Sequence, residues 1–342
     1  LVSTFTVIPT FTNGGVSCEG LPETFTITVT PTTNVTPFDD LFIFTGGSTE
    51  TVTIESIIEN TTFTWSTTVA VGIQGLVNTS GTTNIIPVET LTLAEGINTP
   101  LTVVYTIIPS ISGDQVCLGI PYTYTVTVNP ITGVTSIDDI VVCHNAPVGP
   151  IEFTSTVDAG TTTYQWEASG DDINLTQTDD GIGVINLFTA ENLTSEPLVT
   201  TITVIPTLTN GNVSSIGDLL TFTITVNPVP QINNFSETIC NDSTFSTVSP
   251  LDGTNGDVVP SGTTYTWDLP ISDPVNAVTG GSFGTDQQSI LGQTLFNETN
   301  SPATLTYTVT PTSEDDCIGD DFLITITVNP TGQVIDPLDQ VV

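Results

Sequence analysis

The side chains able to do chemistry are few. Among 342 residues there are 37 Asp and Glu, five cysteines at 18, 117, 143, 240 and 317, one histidine at 144, and no Lys, Arg or Met. His144 beside Cys143 invites a nucleophile-and-base reading, but neighbours along a strand point to opposite faces, so the two side chains diverge. The acidic pairs Asp39-Asp40 and Asp138-Asp139 could serve as acid and nucleophile of a glycosidase. They are sequence neighbours, however, with no cleft to push their pKa values apart. No two cysteines have Cys-x-x-Cys spacing, which argues against a thiolate metal site. The missing cations remove lysine chemistry, arginine clamps and phosphate-binding loops. No catalytic residue is therefore expected.

The charge also limits partners. A formal net charge of -37 without one Lys or Arg rules out a nucleic-acid backbone, which is gripped by cationic side chains that displace counterions. It rules out anionic membrane surfaces on the same ground. No apolar run is long enough to cross a bilayer, so no direct membrane insertion is expected. Nor does the N-terminus have the charged start and apolar middle of a signal peptide.

The elements that hold these residues announce themselves by repetition. A Thr-alternating strand ends in Pro31, Pro130, Pro228 and Pro330, spaced 98 to 102 residues apart. An earlier strand runs to Pro9, Pro109, Pro206 and Pro311, where the pattern predicts that it stops. A third landmark, an aromatic-rich strand, carries Trp65, Trp166 and Trp267, each 101 residues from the next. Alternation of Thr with Val, Ile, Phe or Tyr puts one face of each strand in a core and the other in water. The three tryptophans follow the core register and are expected to be buried between sheets rather than offered to a sugar. With 37% hydrophobic and only 11% charged residues, the chain can bury a core and is not disordered.

Strands every 8 to 12 residues in a unit of about 100 predict an all-β chain of tandem seven-stranded, immunoglobulin-like sandwiches, joined by short Pro-containing links into an extended rod. The frame is 32–130, 131–229 and 230–331. Residues 1–31 form the C-terminal part of one earlier repeat and 332–342 the start of the next, so the chain is expected to be a window of a longer array.

These landmarks resemble the PKD-like, immunoglobulin-like repeats of giant secreted Bacteroidetes surface adhesins of the gliding, SprB type. The resemblance rests on Thr264–Trp267, Tyr307–Pro311, the Cys317-Ile318-Gly319 turn, Thr325–Pro330 and the Val141-Val142-Cys143 start. The Trp-Asp-Phe-Gly-Asp-Gly motif of better-known PKD domains is absent, since Leu269 and Pro270 follow Trp267-Asp268. The resemblance implies an extracellular, cell-surface location, export by the type IX secretion system, and a cysteine near the first strand appearing together with one before the last.

Register sorts the cysteines accordingly. Cys18, Cys117 and Cys317 precede a last strand, where the repeat 131–229 has Ser214 and Ser215; Cys143 and Cys240 lie in a first strand, where 32–130 has Phe44. Only 230–331 holds both members, and a Cys240–Cys317 disulfide is expected. Cys117 with Cys143 would balance the odd count, yet a strand of about nine residues carries the chain roughly 30 Å between them; free thiols are favoured there. If Cys240 and Cys317 pair, Asp242 joins Asp315, Asp316, Asp320 and Asp321 in an acidic bunch whose hard oxygens suit Ca²⁺, though without EF-hand spacing. Acids also recur at the repeat entrances, as Asp39-Asp40, Asp138-Asp139 and Asp339. Asp242-Ser243-Thr244 resembles the short site at which Bacteroidetes attach O-glycans, with Ser243 the acceptor. The Asn-x-Ser/Thr triplets at Asn34, Asn60, Asn174 and Asn297 arise by chance in so Thr- and Asn-rich a chain.

Three function classes remain: a non-catalytic segment of a surface filament for attachment or gliding, a spacer in a secreted polysaccharide-degrading enzyme or protease, and a carbohydrate-binding module. Uninterrupted repetition favours the first. Its partners would be an extracellular surface or carbohydrate and a cell-surface anchor or secretion machinery.

Overall fold

The computed structural model describes residues 1–112, 116–175 and 181–332; the expected start of a further repeat, with Asp339, lies outside the described residues apart from residue 332 itself. Every regular element among them is a β-strand. Three large sheets follow one another along the chain, each built to the same order. The first runs Leu41–Phe44, Tyr122–Asn129, Leu101–Ile111, Thr61–Val69, Ser80–Gly81. The second runs Ile140–Cys143, Leu220–Asn227, Leu198–Asn210, Thr161–Gly170, Gly181–Ile182, and the third Phe235–Cys240, Phe322–Asn329, Ala303–Thr312, Thr264–Trp267, Gly284–Gln287. In each, the first strand lies parallel to the last, and the last is antiparallel to the long strand beside it.

The opposing layer is slighter than seven regular strands suggests. It consists of two-stranded pieces such as Val52–Thr53 with Ile85–Ile86 and Pro147–Val148 with Phe188–Thr189, and in the third repeat of a three-stranded piece centred on Thr294–Asn297. Strand periodicity drives the packing between layers. Val103, Tyr105 and Ile107 are buried while Val104 and Thr106 between them stay partly in water, and Tyr124, Val126 and Val128 are buried likewise on the last strand. Each such side chain contributes about 1.5–3 kcal/mol of burial. Three separate apolar cores result, within residues 35–128, 134–226 and 239–328.

By packing, the chain forms two compact units. One comprises Leu1–Gly133, Ser155–Thr162 and Pro206–Asp218; the other comprises Val134–Thr154, Thr163–Ile205 and Leu219–Val342. The first contains one apolar core, the second two. Residues 1–31 make two antiparallel pairs, Val2–Val7 with Glu23–Thr28 and Thr10–Asn13 with Val16–Glu19, and every one of their side chains is exposed. Phe5 and Phe25, opposite each other in register, stack at 5.2 Å.

The last strands end at the residue before Pro130, Pro228 and Pro330, but Pro109, Pro206 and Pro311 do not stop their strands. Leu101–Ile111, Leu198–Asn210 and Ala303–Thr312 continue past Pro109, Pro206 and Pro311. Pairing of the first of these with the last strand has already ended at Ile107–Tyr122, and the proline carbonyl accepts from Gly119 at 2.8 Å. The missing N–H therefore falls where no continuous ladder needs it.

Candidate functional site

The most distinctive chemistry lies at the two ends of the last strand of each repeat. At its start, a glycine N–H donates to the proline carbonyl in all four repeat frames: Gly20 to Pro9, Gly119 to Pro109, Gly217 to Pro206 and Gly319 to Pro311, at 2.7 to 2.9 Å. Two residues before each glycine stand Cys18, Cys117, Ser215 and Cys317. At its far end, Asn129, Asn227 and Asn329 pair in register with Phe44, Cys143 and Cys240 of the first strand. The next residue, Thr45, His144 or Asn241, donates its N–H to the same Asn carbonyl at 2.8 to 2.9 Å. Two registers are thereby defined, one at each end of the sheet.

The disulfide joins these registers across repeats. Cys143 is bonded to Cys317, with Cα atoms 5.7 Å apart and a sequence separation of 174. The expected Cys240–Cys317 bond is not formed, and Cys18, Cys117 and Cys240 are free thiols. The reason is the parallel register of first and last strands. Cys240 lies opposite Asn329, whereas Cys317 precedes Phe322, so the strand Phe322–Asn329 separates them by roughly 25 Å. A first-strand cysteine reaches the turn of the following repeat instead.

Oxidation of Cys143 removes the only thiol next to the histidine, and His144 has a structural task. Its Nδ1 accepts from the Asn192 backbone N–H at 2.9 Å. Asn192 itself is buried; its amide donates to the Glu196 and Val226 carbonyls and its Oδ1 accepts from Thr194. Asn297 repeats the arrangement with Ser301, Val328 and Thr299. The Asn-x-Thr triplet at 297 thus has a physical cause, an Asn-Thr turn clamped under the last strand, which chance composition had seemed to explain.

The entrance acids cap a sheet edge. Asp40 Oδ1 accepts from the Thr125 N–H at 2.8 Å, Asp139 Oδ1 from Thr223 at 2.6 Å, and Asn234 does the same for Leu323 at 2.7 Å. The Thr223 backbone bond holds the Asp139 carboxyl below its ordinary pKa. An amide replacing the acid in the third repeat shows that the acceptor oxygen, not the charge, is what the position needs. Asp242 is not drawn to the acids around Cys317, because Cys240 is not. It stands exposed at φ +60° with its N–H on Leu295 O, while Asp315, Asp316, Asp320 and Asp321 are exposed and Asp321 accepts from the Thr310 hydroxyl. Among the described residues no three His, Cys, Asp or Glu side chains converge. Ser243 is half-buried in the short strand Ser243–Thr244, opposite Leu295.

Trp65, Trp166 and Trp267 are 5%, 1% and 6% exposed, too little for a stacking platform. Each faces a glycine across the sheet, Gly81, Gly181 and Gly284. A Cβ at Gly81 or Gly284 would come within 2.5 or 2.4 Å of indole carbons. Sequence reading missed this partnership, whose signal is a glycine 15 to 17 residues after each tryptophan. Trp267 Nε1 donates to Ser282 O at 2.9 Å, whereas the indoles of Trp65 and Trp166 have no acceptor among the described residues.

The model of a PKD-like domain matches residues 45–132 and 237–332, more than half of the chain. No curated protein matches. Similar solved structures include mouse cadherin-23 EC22-24, at 14% identity over 88% of this chain and 99% of that one with a TM-score of 0.31. Mouse protocadherin-24 EC1-3 matches at 13% over 89% and 100% with a TM-score of 0.32, and Drosophila N-cadherin EC1-4 at 10% over 97% and 84% with a TM-score of 0.30.

Proposed function

Because the chain belongs to the PKD-like domain family, we propose that it is a non-catalytic, load-bearing segment of an extracellular surface filament that serves attachment or gliding. The observation that carries this reading is the Cys143–Cys317 bond, which ties one repeat to the next. Tension along the backbone then bypasses the chain between the two cysteines, which are 174 positions apart. Disulfides persist in oxidising compartments, in keeping with a location outside the cell. Repeats that contact only their neighbours supply reach in proportion to their number. The Thr-rich exterior and a charge of -37 keep parallel filaments soluble and apart. Export by type IX secretion, a Bacteroidetes source, the repeat boundaries drawn above, a surface or carbohydrate ligand and a cell-surface anchor all form part of this proposal, and they rest on the resemblance of the repeats.

The test is an in-frame deletion of two repeats from the parent gene, with attachment, spreading and secreted hydrolase activity measured together. Loss of attachment or spreading with hydrolysis intact is expected. Loss of a hydrolytic activity with normal attachment would replace this reading by that of an enzyme spacer.

A further inference from the structure

The third repeat departs from the first two beside its tryptophan. The glycine opposite each indole is preceded by Ser80, Asp180 and Phe283 in turn, so an aromatic ring stands where the other repeats have a polar side chain. Phe283 is 66% exposed and Leu291 62%. Together they line a groove of about 550 Å³ whose other side chains include Thr285, Gln287, Ser289 and Gln293. None of the lining residues is charged. Asp286, within the same stretch, is turned to Thr266, whose hydroxyl accepts from its N–H at 3.2 Å.

The segment that presents the ring is fixed from below. The Ser282 N–H donates to Gln293 Oε1 at 2.7 Å and the Ser282 carbonyl accepts from Trp267 Nε1 at 2.9 Å, while the buried Tyr307 hydroxyl donates to the same Gln293 oxygen at 2.9 Å. Two donors on Oε1 set the amide's orientation and leave Nε2 as a donor at the groove wall. The first repeat has the same indole and phenol, Trp65 and Tyr105, each phenol standing two residues before the strand partner of its tryptophan. There the indole N–H and the hydroxyl are buried with no partner among the described residues. In the third repeat both groups hold the backbone just before Phe283. A ring fixed in this way loses little entropy when it meets a ligand.

We propose that this groove binds an uncharged polysaccharide, with the Phe283 ring stacked on the C–H face of one sugar and Gln287, Ser289 and the Gln293 amide meeting its hydroxyls; this rests on the attachment reading and names its ligand by class. The face of an aromatic ring is the negative side of its quadrupole and attracts the polarised C–H bonds of a pyranose. An acidic glycan or a phosphate finds no cation here, because the chain has no Lys or Arg. A wholly apolar partner would dry the lining hydroxyls and amides without replacing their hydrogen bonds. A neutral sugar satisfies both parts of the wall.

The full chain is mixed with insoluble cellulose and run through native gels containing laminarin, amylose, xyloglucan or galactomannan, with alginate as the anionic control. Retention by at least one neutral polysaccharide is expected, and it should persist in about 0.5 M salt, since no ion pair contributes. Phe283→Ser, which installs the residue type of the first repeat, should weaken that retention about tenfold, the size of a lost ring contact. Phe283→Trp should keep or strengthen it. Gln287→Ala gives a second reading at the same wall, with an expected loss of about threefold or more. Both side chains are exposed, so an unchanged melting midpoint separates a lost ligand contact from a lost fold. No retention by any neutral polysaccharide, retention that Phe283→Ser and Gln287→Ala leave intact, retention by alginate alone, or capture by phenyl-coated beads with no polysaccharide bound would each overturn the proposal. Loss of attachment on deleting repeats, together with no polysaccharide binding, would remove the groove's assignment and keep the filament.

Discussion

The two compact units join a first strand to the next repeat's turn by different means. In the first, Phe42 lies over Gly211, which sits at φ +63° with no room for a side chain, and one amide bond links Asn210 to Asn129. In the second, Cys143 and Cys317 make the join covalently. The same junction can thus be closed by packing or by a bond, and the bonded version changes what reduction and force can do.

The largest expected effect comes from breaking the bond. A disulfide closing so long a loop contributes about 4–5 kcal/mol at most. Reduction, or C143S, should therefore lower the calorimetric midpoint of both repeats in the second unit and leave the first unit's sheet, Leu41–Asn129, unshifted. An intra-repeat Cys240–Cys317 bond would instead have affected the third repeat alone. Next in size is the tryptophan–glycine pairing. Trp267→Ala should cost about 3–5 kcal/mol, and Gly284→Val, which must push the indole aside, about 1–3 kcal/mol; denaturant titration measures both.

The packed junction is expected to be more tolerant. Gly211→Val should destabilise the first unit by about 1–3 kcal/mol, through a strained positive φ and collision with Phe42. A comparable loss in the second unit would show the two junctions to be coupled.

Titration gives smaller, signed effects. Burial first, then the nearby Glu89 charge, raises Tyr105 to about 12; burial raises Tyr124 and Tyr265 to about 12 as well, aided by neighbouring charged or ionisable groups. Their folded values lie above the ordinary 10, so their stabilisation is complete below pH 10 and is lost as pH rises towards 12. Phenolate absorbance should thus appear late and together with unfolding. Asp139 has the opposite sign: its folded pKa is lowered, so its support holds above the ordinary carboxylate range and fades on acidification. Asp139→Asn, mimicking Asn234, should flatten that acid limb while leaving neutral stability nearly unchanged.

The period and the all-β character were legible because Thr alternation and a recurring Trp are local signals. The pairing of Cys317 was not. Register alone sorts the cysteines into two sets, but which members of the two sets meet depends on the first strand running parallel to the last, and that is long-range topology with no local mark. The separation argument that spoke against Cys117 with Cys143 applied equally to Cys240 with Cys317, since both lie at opposite ends of a strand. The acids at 40 and 139 invite a catalytic reading because an Asp that caps an N–H and one that does chemistry are the same residue; Asn234 at the third position is the available clue. Pro109, Pro206 and Pro311 look like stops because their carbonyl's bond to a glycine ten or so residues on leaves no trace in composition.

Pulling single molecules by their ends tests the central claim most directly. With Cys143 bonded to Cys317, the chain between them, a separation of 174 positions, stays hidden when the chain unfolds, and reduction should add roughly 600 Å of contour length at about 3.5 Å per residue. A gain of only roughly 270 Å, the extended length between Cys240 and Cys317, or no gain, would contradict a filament whose repeats are bonded one to the next.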